Sequence, residues 1–394
     1  MSRATVTIKQ FKEIVKFTIE NNLKQPILGL GAPGIGKSEV IKEIGEELGY
    51  YIEDLRLAQM SEVEIGGLIY PNADKTKTVW LKPDFFPEEN GPKTILLLDE
   101  ITSAPKHNQL PAYQLVLDRR IGKHKLPDST VIIALGNREE DGGVYVDLAA
   151  PLADRFEIYD IECDANTWLE FAKTSIDKVT GKGINPLVTS FITSHPDQLH
   201  TQSENQDEMI FATPRSWKRV SDTLNSANGQ LNEIAELKVA ATVGDVIGSK
   251  FTAYCNQYAS NHVAQDVIDG KDVTLNGSRA EILFVSDSLV SILNQKVKSG
   301  ASLDECVDIY SKIVSFAGTL DGDYAQMLIS EASQISDEVT SAAMNKNAKV
   351  TSAGIDSVGN LLNDVDSTTN DERRAIGSDI IDNDEEIEEI DVFF

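Results

Sequence analysis

The run Gly31-Ala-Pro-Gly-Ile-Gly-Lys-Ser38 constrains this 394-residue chain more than any other segment. An apolar stretch, Pro26-Ile-Leu-Gly-Leu30, precedes it and reads as a buried strand. After it Val40, Ile41, Ile44 and Leu48 recur at helical spacing. Gly31, Gly34 and Gly36 permit backbone conformations that residues with a Cβ resist, so successive N–H groups can turn toward one anion. A helix N-terminus adds unpaired donors and a positive dipole end. Strand, glycine loop and helix, with Lys and Ser opening the helix, form the pattern that cradles the phosphates of a nucleoside triphosphate. The candidate nucleotide-binding residues are Gly31, Ala32, Pro33, Gly34, Ile35, Gly36, Lys37, Ser38 and Glu39. In that pattern Lys37 reaches the β- and γ-phosphates, and the Ser38 hydroxyl ligates Mg²⁺.

A second element lies at Thr94-Ile-Leu-Leu-Leu-Asp99-Glu100. Ile95 to Leu98 are too few for a separate helix, so the spacing predicts a strand buried on both faces in a parallel sheet. Asp99 then sits at the carboxyl end, where open α/β sheets bind ligands, and is the candidate second magnesium ligand. Glu100 is placed to polarise an attacking water. The other reading is that the two acids cap a helix after Pro105.

Past these acids the order of features resembles an AAA+ ATPase, and specifically the MoxR family of the helix-2-insert branch. Thr130-Val-Ile-Ile-Ala-Leu-Gly136 reads as a strand ending in Asn137, which matches the family's sensor-1 residue. Ala150-Pro-Leu-Ala-Asp-Arg155-Phe156 is similar to the arginine-finger segment, and Ala212-Thr-Pro-Arg215-Ser-Trp217 to the sensor-2 motif. Ser61-Glu-Val-Glu-Ile-Gly-Gly-Leu68 resembles the motif after the second strand of that branch, and Leu115 to Pro127 the stretch leading into its pre-sensor hairpin. The match runs from about Ile8 to about Leu293. It implies an α/β core with a parallel five-stranded sheet of order 5-1-4-3-2, ATP with Mg²⁺ as cofactors, and a hexamer. It also implies a protein client, frequently one with a von Willebrand factor A domain. Glu100, Asn137, Arg155 and Arg215 are the implied catalytic residues, with Arg155 reaching a neighbouring subunit. Each has a plainer alternative. Arg155 could pair with Asp154 or Glu157, Arg215 with Asp222 or Glu208, and Asn137 could simply end a strand.

Composition sets limits on function. No apolar run approaches the roughly 18 residues of a membrane span, and the N-terminus shows an amphipathic pattern (Ile8, Phe11, Ile14, Val15, Ile19) rather than a signal core. Cys163, Cys255 and Cys306 are far apart and read as reduced thiols, which with the N-terminus predicts a cytoplasmic protein. The five histidines form no metal spacing. The formal charge is −27, of which −11 falls between Asp356 and Phe394, where thirteen acids face two bases. The remaining body is still acidic, which argues against a broad grip on nucleic acid.

The expected organisation is a nucleotide-binding domain over 1–162, a helical lid over 163–247, a helical extension over 248–343 and a disordered acidic tail over 344–394. The tail ends on Phe393-Phe394, and we expect it either to stay solvated or to dock on a basic partner surface with an apolar pocket. A ring-forming ATPase that remodels or matures a protein is the leading reading. A nucleic-acid motor or loader, and a nucleotide-gated scaffold with little turnover, are the alternatives.

Overall fold

The computed structural model describes residues 3–351, apart from 142–144, 149, 202–209, 228–230, 259–261 and 276, with side chains to residue 346. Among these residues the chain forms two compact units. One comprises residues up to 171 together with 192–255; the other comprises 172–191 and 256 onward.

The first unit begins with β1 (Ala4–Thr7) and α1 (Ile8–Glu20), joined by Thr7, whose side chain and Gln10 form a capping box. Then follow β2 (Ile27–Gly31), α2 (Lys37–Leu48), β3 (Tyr51–Arg56), α3 (Glu62–Gly66) and a hairpin of β4 (Leu68–Pro71) with β5 (Thr78–Leu81). Next come β6 (Thr94–Asp99), α4 (Lys106–Asp118), the two-residue strands β7 (Arg120–Ile121) and β8 (His124–Lys125), and β9 (Thr130–Gly136). The core closes with α5 (Ala150–Ala153) and β10 (Glu157–Glu162).

Six of these strands form one parallel sheet in the order β1-β10-β2-β9-β6-β3. Five of them carry the expected 5-1-4-3-2 order, and β1 adds an edge strand beside β10 that the sequence did not suggest. Its four residues are exposed or half-buried, so they carry little apolar pattern. Alternation splits the central strands between two cores. Ile95, Leu97, Ile133 and Leu135 pack with Phe11, Val15 and Ile41 under α1 and α2. Leu96, Leu98, Ile132 and Ala134 pack with Ile65, Ala112, Leu115 and Leu152 on the other face. Burial on both faces is what forces these segments to be uninterrupted Ile, Leu and Val.

Four helices continue the chain: α6 (Ala165–Thr174), α7 (Pro186–Ser194), α8 (Pro214–Ser226) and α9 (Glu233–Val243). α6 stops at Thr174, and beyond it the Asp177 carboxylate accepts the N–H groups of Val179 and Thr180 in a turn. Gly244, at φ +90°, separates α9 from α10 (Asp245–Tyr258).

The second unit is helical: α11 (Val263–Ile268), α12 (Arg279–Lys298), α13 (Leu303–Ala317), α14 (Gly322–Ser333) and α15 (Asp337–Thr351). Val285, Leu289, Ile313, Leu328 and Ala343 are buried among them. Lys173 pairs with Asp287 at 2.9 Å and Glu331 at 2.6 Å, and burial pushes the Glu331 carboxyl above its ordinary range. Because α15 continues to Thr351, regular structure extends past the expected boundary at 343/344. Val339 and Ala343, both within the expected extension, are buried on this helix, whose last residues run on into the polar sequence. Residues 352–394, including Phe393 and Phe394, lie outside the described residues. No helix among the described residues is long and apolar enough to cross a membrane.

Candidate functional site

The fully buried strand β2 delivers the chain to the glycine loop, and Gly36 starts α2 at φ +101° with no side-chain cap. The first-turn N–H groups of α2 therefore keep their donors for a ligand. Gly34 stands at φ +80°, and a Cβ there would meet Thr213 Oγ1 at 2.9 Å. This close approach seats the loop against the start of α8, where Thr213 and Ser216 form a capping box.

Lys37 is buried, with 8 % of its surface exposed. Its ammonium donates to Gly31 O at 2.6 Å, Ala32 O at 2.9 Å and Asn137 Oδ1 at 3.1 Å. Burial lowers its pKa to about 8, helped by the Arg215 and Arg138 charges and opposed by Asp141 and Asp99. A phosphate favours the ammonium form, so deprotonation on raising the pH through that value must weaken binding. Nucleotide affinity should be flat below about pH 8, with Kd about tenfold higher at pH 9 than at pH 7. Titration of a fluorescent ATP analogue across this range checks it; a flat Kd would contradict it, and Lys37→Arg should remove the dependence.

Ser38 Oγ donates to Asp99 Oδ2 at 2.8 Å, joining the loop to the end of β6. A hydroxyl and a carboxylate side by side are hard oxygen donors of the kind Mg²⁺ takes, so the residues present fit that ion. Asp99 does not cap the next helix: α4 has Pro105 at its N-cap and no side-chain cap. Instead Asp99 Oδ1 accepts the Glu100 N–H at 2.9 Å. Glu100 adopts φ +57°, a left-handed conformation that a side-chain-bearing residue holds only where its surroundings impose it.

Asn137 follows β9 and meets Lys37 through its side chain, so the end of that strand and the glycine-loop lysine come together. Arg215 opens α8; its main-chain N–H donates to Gly34 O at 3.1 Å and its exposed guanidinium forms no ion pair among the described residues. Asp222, one suggested partner, pairs with Lys218 at 3.2 Å, and Glu208, the other, lies outside the described residues. Arg155 is exposed just past α5 and has no hydrogen bond or ion pair from its side chain among the described residues, to Asp154 and Glu157 included. No bond brings it to Lys37, Asp99 or Glu100. Glu39 reaches out to Lys42 at 3.6 Å, so only its place in the first turn of α2 connects it with the loop.

Several site residues escaped the sequence reading. Arg138 grips Asp141 with two guanidinium bonds of 2.9 and 2.8 Å, and the Asp141 carboxylate is wholly buried. An Arg three residues before an Asp, directly after β9 and Asn137, was the available signal. Thr213 lies inside the run Ala212 to Trp217, but its place against Gly34 depends on the fold and could not be read from that run.

No protein-family model and no curated protein matches the chain. Among solved structures it is similar to NtrX from Brucella abortus, at 16% identity and a TM-score of 0.36, covering 84% of this chain and 69% of that one. The same protein in complex with ATP gives 12% identity, a TM-score of 0.35, and coverage of 79% and 66%. A single-residue variant of Thermotoga maritima RuvB gives 16% identity, a TM-score of 0.35, and coverage of 80% and 87%. Likeness at this level assigns neither a family nor an activity.

Proposed function

We propose that this chain is an AAA+-type ATPase. One observation carries the reading: three segments far apart in sequence, carrying Lys37 with Ser38, Asp99 and Asn137, converge through two side-chain hydrogen bonds of 3.1 and 2.8 Å. Phosphoryl transfer is mainly positioning and charge stabilisation, and this arrangement offers both. The loop N–H groups and Lys37 would hold the phosphates, and Ser38 and Asp99 would hold magnesium, which when bound draws charge from the phosphate oxygens. Glu100 accepts a proton from water as the water oxygen bonds to the γ-phosphorus. The bond from that phosphorus to the bridging oxygen breaks, and ADP leaves. Asn137 orients the water, its amide donating and accepting at once. Arg215, on the same compact unit as the loop, would neutralise phosphate charge within its own chain.

The MoxR-like motif order supports a finer proposal. Subunits assemble in a cytoplasmic ring, hexameric by that resemblance, with Arg155 completing a neighbour's site. The ring remodels a protein partner, with a von Willebrand factor A domain protein as the first candidate and the acidic tail as a docking element. The exposed and unpaired state of Arg155 supports its use in trans. Steady-state ATPase activity against protein concentration tests this. Specific activity should rise with concentration to a plateau, whereas a flat value would mean that each chain works alone.

A further inference from the structure

We propose that Thr102 is a positioning residue that fixes Glu100 relative to Asn137, a role that rests on the hydrolytic reading above. The ladder between β6 and β9 runs only as far as the pair Leu98 and Ala134. Beyond it both strands still have to deliver their functional ends, Asp99-Glu100 on one side and Asn137 on the other, with no further main-chain pairing between them.

Thr102 supplies the missing link. Its Oγ1 accepts the Asn137 N–H at 3.0 Å and donates to the Asn137 carbonyl at 3.0 Å, so one hydroxyl holds both main-chain groups of the sensor-position residue. Thr102 is 1 % exposed, so the hydroxyl end of both bonds is buried. A Cβ at Gly136 would stand 2.7 Å from Thr102 Oγ1, so glycine is what lets the two strand ends come this close. On its own strand, Thr102 belongs to the 3-10 turn Ile101–Ser103, whose N-cap is Glu100, and the Ser103 N–H donates to Glu100 O at 2.9 Å. The left-handed Glu100 and the clamp on Asn137 are thus two ends of one short, hydrogen-bonded turn. A displacement of about 1 Å between catalytic groups can cost on the order of 10²-fold in rate without touching ligand binding.

Thr102→Val keeps the shape and removes the hydroxyl; Thr102→Ser keeps the hydroxyl. The valine variant should lose about 10²-fold in kcat, with KM for ATP and Kd for a fluorescent ATP analogue unchanged. The serine variant should return close to wild type. Exchange of the Asn137 amide with solvent should accelerate in the valine variant alone. A valine variant with wild-type kcat would overturn the assignment, as would an equal loss of kcat and nucleotide affinity, which marks a merely structural residue. If the valine variant does not fold, Gly136→Ala, which crowds the same hydroxyl, should give the same kcat-specific loss, and wild-type kcat there overturns the assignment. A wild type without Glu100-dependent turnover would strike the hydrolytic reading instead; the Asn137 amide then decides the clamp, since unchanged exchange in Thr102→Val overturns it.

Discussion

Arg155→Ala should reduce ATP turnover by about 10³- to 10⁵-fold, the range in which arginine fingers act, while leaving the Kd for nucleotide unchanged. The side chain is exposed and unpaired among the described residues, so its removal should disturb stability by no more than about 0.5 kcal/mol. Two inactive chains should complement each other. Mixing Arg155→Ala with Lys37→Ala places an intact arginine beside an intact phosphate loop at some of the junctions and should restore part of the activity. Mixed-ring ATPase assays check this. Full activity in Arg155→Ala alone, or failure of the mixture to recover any, would remove the shared-site proposal while leaving the binding site as described.

Glu100→Gln should lower kcat by about 10²- to 10⁴-fold and leave nucleotide binding intact, because the amide keeps the size of the side chain but cannot take the proton from water. The substitution is conservative for the fold: both side chains face the same left-handed φ of +57°, and the structural bond at this turn is made by the Glu100 main-chain N–H to Asp99. A single-turnover experiment with labelled ATP reads the chemical step directly. Unchanged hydrolysis would show that the proton leaves by another route, and the nucleotide-gated scaffold would gain if neither wild type nor variant turned over.

The parts of the fold that were legible in sequence are those in which one physical demand acts on consecutive residues. Strands buried on both faces need unbroken apolar runs, so β2, β6 and β9 stood out. The phosphate loop was legible because glycine, lysine and serine each answer a separate geometric need at fixed spacing. The hairpin of β4 and β5 was not anticipated, since its Leu68, Ile69, Tyr70 and Leu81 are exposed and show no inside-outside alternation. The Arg138–Asp141 pair and the Thr102 clamp depend on where the chain folds back, which local spacing does not encode. Of the implied catalytic residues, Asn137 is joined to Lys37 by a side-chain bond, while Arg215 meets the loop through its main chain and Arg155 stands apart.

The double burial of β6 also bears on which insertions and deletions the chain can survive. Both faces of this strand are aliphatic, so sliding it by one residue would exchange Ile95 and Leu97 for Leu96 and Leu98 with almost no penalty from hydrophobicity alone. What distinguishes the correct frame is the far end, where Asp99 must land on Ser38. A one-residue deletion within Thr94–Leu98 would therefore leave a packed sheet whose acid points to the wrong side, while length changes at the exposed tip between β4 and β5 would leave that alignment untouched.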